Sequence, residues 1–87
     1  MEKQAYIIVF DTKSHKTQIV TALKAYGTWG RISENCYVIV TSSTATQIRD
    51  SLKNKAGASD MIFVIRSGAI AAWSNVPARN EWLKEHL

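Results

Sequence analysis

Three stretches of this 87-residue chain are apolar at nearly every position: AYIIVF (5–10), CYVIV (36–40) and MIFVI (61–65). Each is rich in β-branched and aromatic residues and too short for a buried helix, so each reads as a strand. A strand with one face in water alternates apolar and polar residues, and these do not. Both faces of the sheet they form are therefore expected to be covered. Few folds of this length meet that requirement.

The segments between the runs supply the other elements. HKTQIVTALKAYG (15–27) has Ile19, Leu23 and Tyr26 at helical spacing, with Ser14 able to cap its start and Gly27 able to end it in the left-handed conformation. TWGRIS (28–33) and CYVIVT (36–41) flank Glu34-Asn35, a tight hairpin. A second helix is expected over 45–56, with Ala45, Ile48, Leu52 and Ala56 on one face, Ser43 or Thr44 as its cap and Gly57 as its stop. AIAAW (69–73) follows the last long strand as a short fifth strand, and a helix is expected over 78–87 after Pro77.

Strand, helix, strand, strand, helix, strand is the split βαβ order of a ferredoxin-like α+β sandwich, with the first and third strands central. Residues 1–87 read as one such domain, carrying the extra fifth strand and the C-terminal helix. Its two main helices cover one face only. The second face needs the C-terminal helix or a second copy of the chain. Gly68, Ala69, Ala71 and Ala72, in one segment with Ile70 and Trp73, favour the second copy, because small residues let another backbone approach closely. A homodimer is expected, with these six residues in its interface.

Composition narrows the function classes. One cysteine, Cys36, excludes an intramolecular disulfide and a cysteine-based metal cluster, and points to a reducing, cytoplasmic setting. No apolar run reaches the roughly 20 residues of a membrane span, and the N-terminus lacks the pattern of a signal peptide. Eleven Lys and Arg against seven acids give a net charge of +4, which favours polyanionic partners. The cations are dispersed; Lys13, Lys16, Arg31 and Arg66 are the candidate phosphate contacts. The chain has no P-loop, dinucleotide fingerprint, zinc spacing or RNA-binding sheet signature.

IIVFDTKSHK (7–16) carries the chemistry of most interest. Asp11 ends an apolar strand, where it can either begin a turn by accepting backbone N–H bonds or serve a site. His15 has the intrinsic pKa of a general base, though a helix-start histidine is commonly just solvated. Cys36 sits in a strand with no neighbouring acid in sequence and is not read as a nucleophile. Trp29, Trp73 and Trp82 can stack on bases if exposed, with packing or dimer contact the simpler role.

Several segments together resemble a known family: LKAYGTW (23–29), CYVIVTSS (36–43), IRDSLK (48–53), DMIFVI (60–65), AAW (71–73) and WLK (82–84), with the strand that ends in Asp11. They resemble the small CRISPR-associated adaptation proteins of the second Cas family, and more closely the related SinR-like group with the Cas-two-like fold. Virulence-associated protein D, a toxin-type ribonuclease, is a further relative. The resemblance spans nearly the whole chain and implies a symmetric dimer. It also implies that Asp11 meets its dyad mate to hold Mg²⁺ or Mn²⁺ for phosphodiester cleavage. Such hard cations take oxygen ligands, one or two carboxylates with water and phosphate, and two chains would supply two carboxylates. The sequence departs from the family pattern at SHKTQ (14–18), where the family has an arginine-rich helix start, and at Asn35-Cys36-Tyr37, where it often has Ser-Val-Phe.

The expected function is thus a cytoplasmic homodimer that interacts with nucleic acid and acts as a weak metal-dependent endonuclease through paired Asp11. The alternative is a non-catalytic dimeric scaffold that binds a protein partner on the same fold.

Overall fold

The computed structural model describes residues 2–68, 74 and 76–86. Its elements are β1 (Gln4–Asp11), α1 (Lys16–Lys24), β2 (Trp29–Ser33), β3 (Cys36–Thr41), α2 (Ala45–Lys53), β4 (Met61–Arg66) and α3 (Asn80–His86). The four strands form one antiparallel sheet in the order β2-β3-β1-β4, which is compatible with a ferredoxin-like arrangement. As the sequence implied, β1 and β3 are central. The expected fifth strand and residues 69–73 of the expected interface lie outside the described residues, and Gly68 is exposed beyond the end of β4.

One face of the sheet meets α1 and α2. Tyr6, Ile8 and Phe10 of β1 and Tyr37 and Ile39 of β3 pack there with Ile19 and Leu23 of α1 and Ile48 and Leu52 of α2. The period of two in the strands and of three to four in the helices gives one shared dry layer. Burying each of these larger side chains stabilises by about 1.5–3 kcal/mol before entropy is counted.

The second face is covered over only part of its width. Gly30 and Val38 are cross-strand partners and so share a face. Trp82 of α3 lies against Gly30, where an added Cβ would stand 2.7 Å from the indole. Val38 and Leu83 are fully buried, yet neither belongs to the main core cluster. Thus α3 shields the β2–β3 half. The β4 half remains open: Met61, Phe63 and Ile65 are 45%, 52% and 49% exposed. The continuous apolar runs implied cover on both faces; among the described residues α3 supplies it on the β2–β3 side of the second face.

The helix ends differ from the expected ones in instructive ways. Thr44, not Ser43, caps α2 in a capping box with Gln47, each side chain bonding the other's backbone N–H. Ser43 is occupied instead by Thr41. The expected stop at Gly57 is also displaced: α2 ends at Lys53, and residues 54–57 lead toward β4. Ser14 does not cap α1. His15 takes the N-cap position without a capping side-chain bond. At the other end, α1 stops at Lys24 with Ala25 as its right-handed C-cap, and Gly27, three residues on, has the expected left-handed φ of +90°, which side chains with a Cβ rarely adopt.

Candidate functional site

Antiparallel pairing brings the end of β1 beside the start of β4, with Asp11 opposite Met61. The β1–α1 loop and the α2–β4 loop therefore meet at one end of the sheet. They enclose a cleft of about 280 Å³ lined by Asp11, Lys13, Ser14 and His15 from the first loop and by Gly57 and Asp60 from the second. The hairpin approaches the same end, since Phe10 donates its N–H to the carbonyl of Asn35 at 3.0 Å.

Asp60 organises the cleft. Its Oδ2 accepts the Thr12 hydroxyl at 2.7 Å and the Gly57 N–H at 2.7 Å, and lies 3.3 Å from Nδ1 of His15. The Thr12 hydroxyl in turn accepts the His15 N–H at 3.0 Å. The Thr12 and Gly57 bonds to the ionised form hold the Asp60 carboxyl below the ordinary carboxylate range, with the His15 charge contributing less. Gly57 fits closely here: a Cβ would stand 3.2–3.3 Å from the His15 ring and the Asp60 carboxylate, which would have to give by a few tenths of an ångström.

Asp11 does not make the turn. The turn residue is Thr12, and among the described residues the Asp11 side chain accepts no hydrogen bond and is exposed. Asp11 still belongs to β1, on the same face as Met61, Phe63 and Ile65. Its carboxylate is therefore presented at the rim of the open apolar half of the sheet.

His15 is neither aimed at Asp11 nor arranged as a relay. Both Ser14 Oγ, at 3.2 Å, and Asp60 lie at Nδ1. A serine triad needs its hydroxyl and carboxylate at opposite ring nitrogens. The expected basic residues are spread around the molecule. Lys13 is exposed in the cleft, and Lys16 reaches Glu34 at 3.8 Å. Arg31 lies on the β2 edge. Arg66 is opposite Tyr6, five residues along the ladder from Asp11's partner Met61, or about 17 Å.

The cleft mixes oxygen donors with the His15 imidazole. Asp11, Asp60 and the hydroxyls of Thr12 and Ser14 are all oxygen donors around one cleft, whereas zinc favours nitrogen and sulfur. No group of three His, Cys, Asp or Glu stands close enough to hold a metal among the described residues.

Thr12, Gly57 and Asp60 are the site residues that sequence reasoning missed. A signal was present: IIVF-D and D-MIFVI mirror each other. Once β1 and β4 are taken as antiparallel neighbours, those two acids must fall at the same end.

A second cleft of about 350 Å³ follows the β2 edge, lined by Trp29, Gly30, Arg31, Pro77, Ala78, Arg79 and Trp82. The Ala78 N–H bonds the Arg31 carbonyl at 3.0 Å and ties the start of α3 to that edge. Among the described residues no helix is long and apolar enough to cross a membrane. The sequence matches no protein family, and neither a curated protein nor a solved structure is significantly similar to it.

Proposed function

We propose that this chain is a homodimeric, cytoplasmic nucleic-acid-interacting protein of the Cas-two-like type, in which Asp11 supports metal-dependent phosphodiester cleavage. The observation that carries the reading is the position of Asp11. It is an exposed carboxylate without a hydrogen-bond partner among the described residues, on the same sheet face as the exposed strip Met61, Phe63 and Ile65. Packing that strip against a second copy about a twofold axis removes the apolar side chains from water. It also draws the two Asp11 carboxylates toward each other.

Asp11 would hold a Mg²⁺ or Mn²⁺ ion, which when bound would supply Lewis-acid polarisation of a phosphate oxygen and activation of water. The chain's own residues bind and orient. Lys13 stands in the cleft to meet a phosphate. Asp60 holds Thr12 and His15, so the loop that follows Asp11 keeps its shape. Testing requires incubation of RNA and DNA with each metal, using wild type and Asp11→Ala. Cleavage by wild type and not by the variant, with dimer mass unchanged, is the expected result. No cleavage by either protein rejects the nuclease reading.

A second reading, a dimeric scaffold without catalysis, is favoured by one specific observation. The second carboxylate of the cleft is already committed, through Oδ2, to Thr12, Gly57 and His15. On this reading Asp60 ties two loops together, and the sheet end presents a binding surface for a protein partner.

A further inference from the structure

The two edges of the sheet differ. At the β2 edge the register is irregular between Arg31 and Ser33, and the Ala78 N–H occupies the Arg31 carbonyl. Irregularity and cover of this kind keep an edge from pairing with another chain. The β4 edge has neither. Met61–Arg66 pairs with β1 in unbroken register, holds no proline and no charge before Arg66, and has no strand on its outer side among the described residues.

A groove follows that edge beside α2. Its two parts, of about 260 and 230 Å³, share Arg49 and Ile62. Ala45, Ala56, Ile62 and Val64 give it apolar surface, and Arg49 and Lys53, both exposed, give it positive charge. Arg49 pairs with its neighbour Asp50 at 2.9 Å, an exposed contact that another carboxylate can replace. Lys53 has no ion pair among the described residues. Asp60, the acid that lines the groove, is engaged through Oδ2 with Thr12, Gly57 and His15.

We propose that the β4 edge takes an extended segment of another protein as an added strand, with acidic residues on its α2 side and apolar residues on its other side. An open edge supplies affinity through main-chain hydrogen bonds, and pockets for alternate side chains supply choice. Arg49 and Lys53 are one helical step apart, a rise of about 6 Å. Alternate residues of a strand are about 6.6–6.8 Å apart, so two acids in alternate positions meet both cations. The intervening residues point to the opposite face. There they extend the exposed strip of Met61, Phe63 and Ile65 through cross-strand pairs. A second copy is the poorer occupant, because its segment 68–73 contains no acid. The inference goes beyond the cleavage reading and does not use Asp11.

Fluorescence anisotropy of the full chain with a labelled, capped peptide of alternating glutamate and valine, long enough to span the six residues of β4, tests it. A peptide of the same composition with its glutamates contiguous, and one with lysine for glutamate, should both bind more weakly. Arg49→Gln/Lys53→Gln, at two exposed positions, should weaken binding of the alternating peptide about tenfold for two surface charge contacts. On binding, alternate amides of 61–66 should become slow in hydrogen exchange followed by NMR, since those facing outward gain a partner. Equal binding of the contiguous peptide, or binding that leaves exchange in 61–66 unchanged, overturns strand addition. Equal binding of the lysine peptide, or an unaffected double variant, overturns the acidic partner. Uniformly slow exchange across 61–66 in the unliganded dimer assigns the edge to a second copy and overturns the proposal. Absence of binding by wild type overturns it as well, and every one of these outcomes leaves the cleavage reading to its own test.

Discussion

Thr12 donates its hydroxyl to the carboxylate of Asp60 across 48 residues of sequence, at 2.7 Å. The same hydroxyl accepts the His15 N–H. One side chain thereby joins the β1–α1 loop to the α2–β4 loop and sets the helix start one residue later than the sequence implied. Thr12→Val, nearly isosteric, removes both bonds. It should lower Tm by several degrees and leave the secondary structure intact, as read by thermal circular dichroism. An unchanged Tm would show that the two loops are held by other contacts.

Asp60 gives the fold an acid sensitivity. Its pKa is lowered in the folded state, chiefly by the Thr12 hydrogen bond and then by the Gly57 N–H. A carboxyl with a depressed folded pKa contributes stability that is fully present above its unfolded value, about 3.9. That contribution is lost as pH falls from there through the folded value. Denaturant unfolding of wild type and Asp60→Asn between neutral pH and about pH 3 should give curves that converge on acidification. Parallel curves would remove Asp60 as the source.

Asp11 is expected to separate function from stability. It is exposed and makes no side-chain hydrogen bond among the described residues, so Asp11→Ala should change stability by less than about 0.5 kcal/mol. Metal-dependent cleavage should fall to background in the same protein. A large loss of stability would instead assign Asp11 a structural role.

The open strip on β4 predicts assembly. Wild type should run at about twice the 9.7 kDa monomer mass at micromolar concentration, and Phe63→Lys should run as a folded monomer. Phe63 is 52% exposed in the single chain, so the substitution spares the core. Light scattering coupled to size exclusion reads both outcomes. A monomeric wild type would refute the dimer.

Gly30→Ala tests the cover of the second face. The new methyl would stand 2.7–3.1 Å from three Trp82 ring atoms, and overpacking of this kind costs about 1–3 kcal/mol. Tryptophan emission should shift to the red as α3 is displaced, with unfolding at lower denaturant. An unaltered spectrum would mean that α3 adjusts freely.

Local patterning was enough for the four strands and the helices among the described residues. Strands 36–41 and 61–65, the helical stripe of Ile19 and Leu23, and the left-handed Gly27 depend on neighbours in sequence, because period and backbone conformation are local properties. Helix ends were less legible. Ser14 and Ser43 are good capping residues in isolation, but His15 and Thr44 take those positions, and Ser43 is bonded to Thr41.

The acid at the end of an apolar strand, the lone cysteine and the excess of cations were fixed by sequence alone. Only tertiary structure decided that Thr12, not Asp11, makes the turn, that Asp60 joins the site, and that Arg66 lies far from it. The reason is pairing: antiparallel neighbours β1 and β4 bring residues 12 and 60 together, while ladder register carries Arg66 to the other end. Sequence distance records neither. It likewise could not show that α3 covers the β2–β3 side of the second face, because that depends on one glycine, Gly30, leaving room for one indole, Trp82.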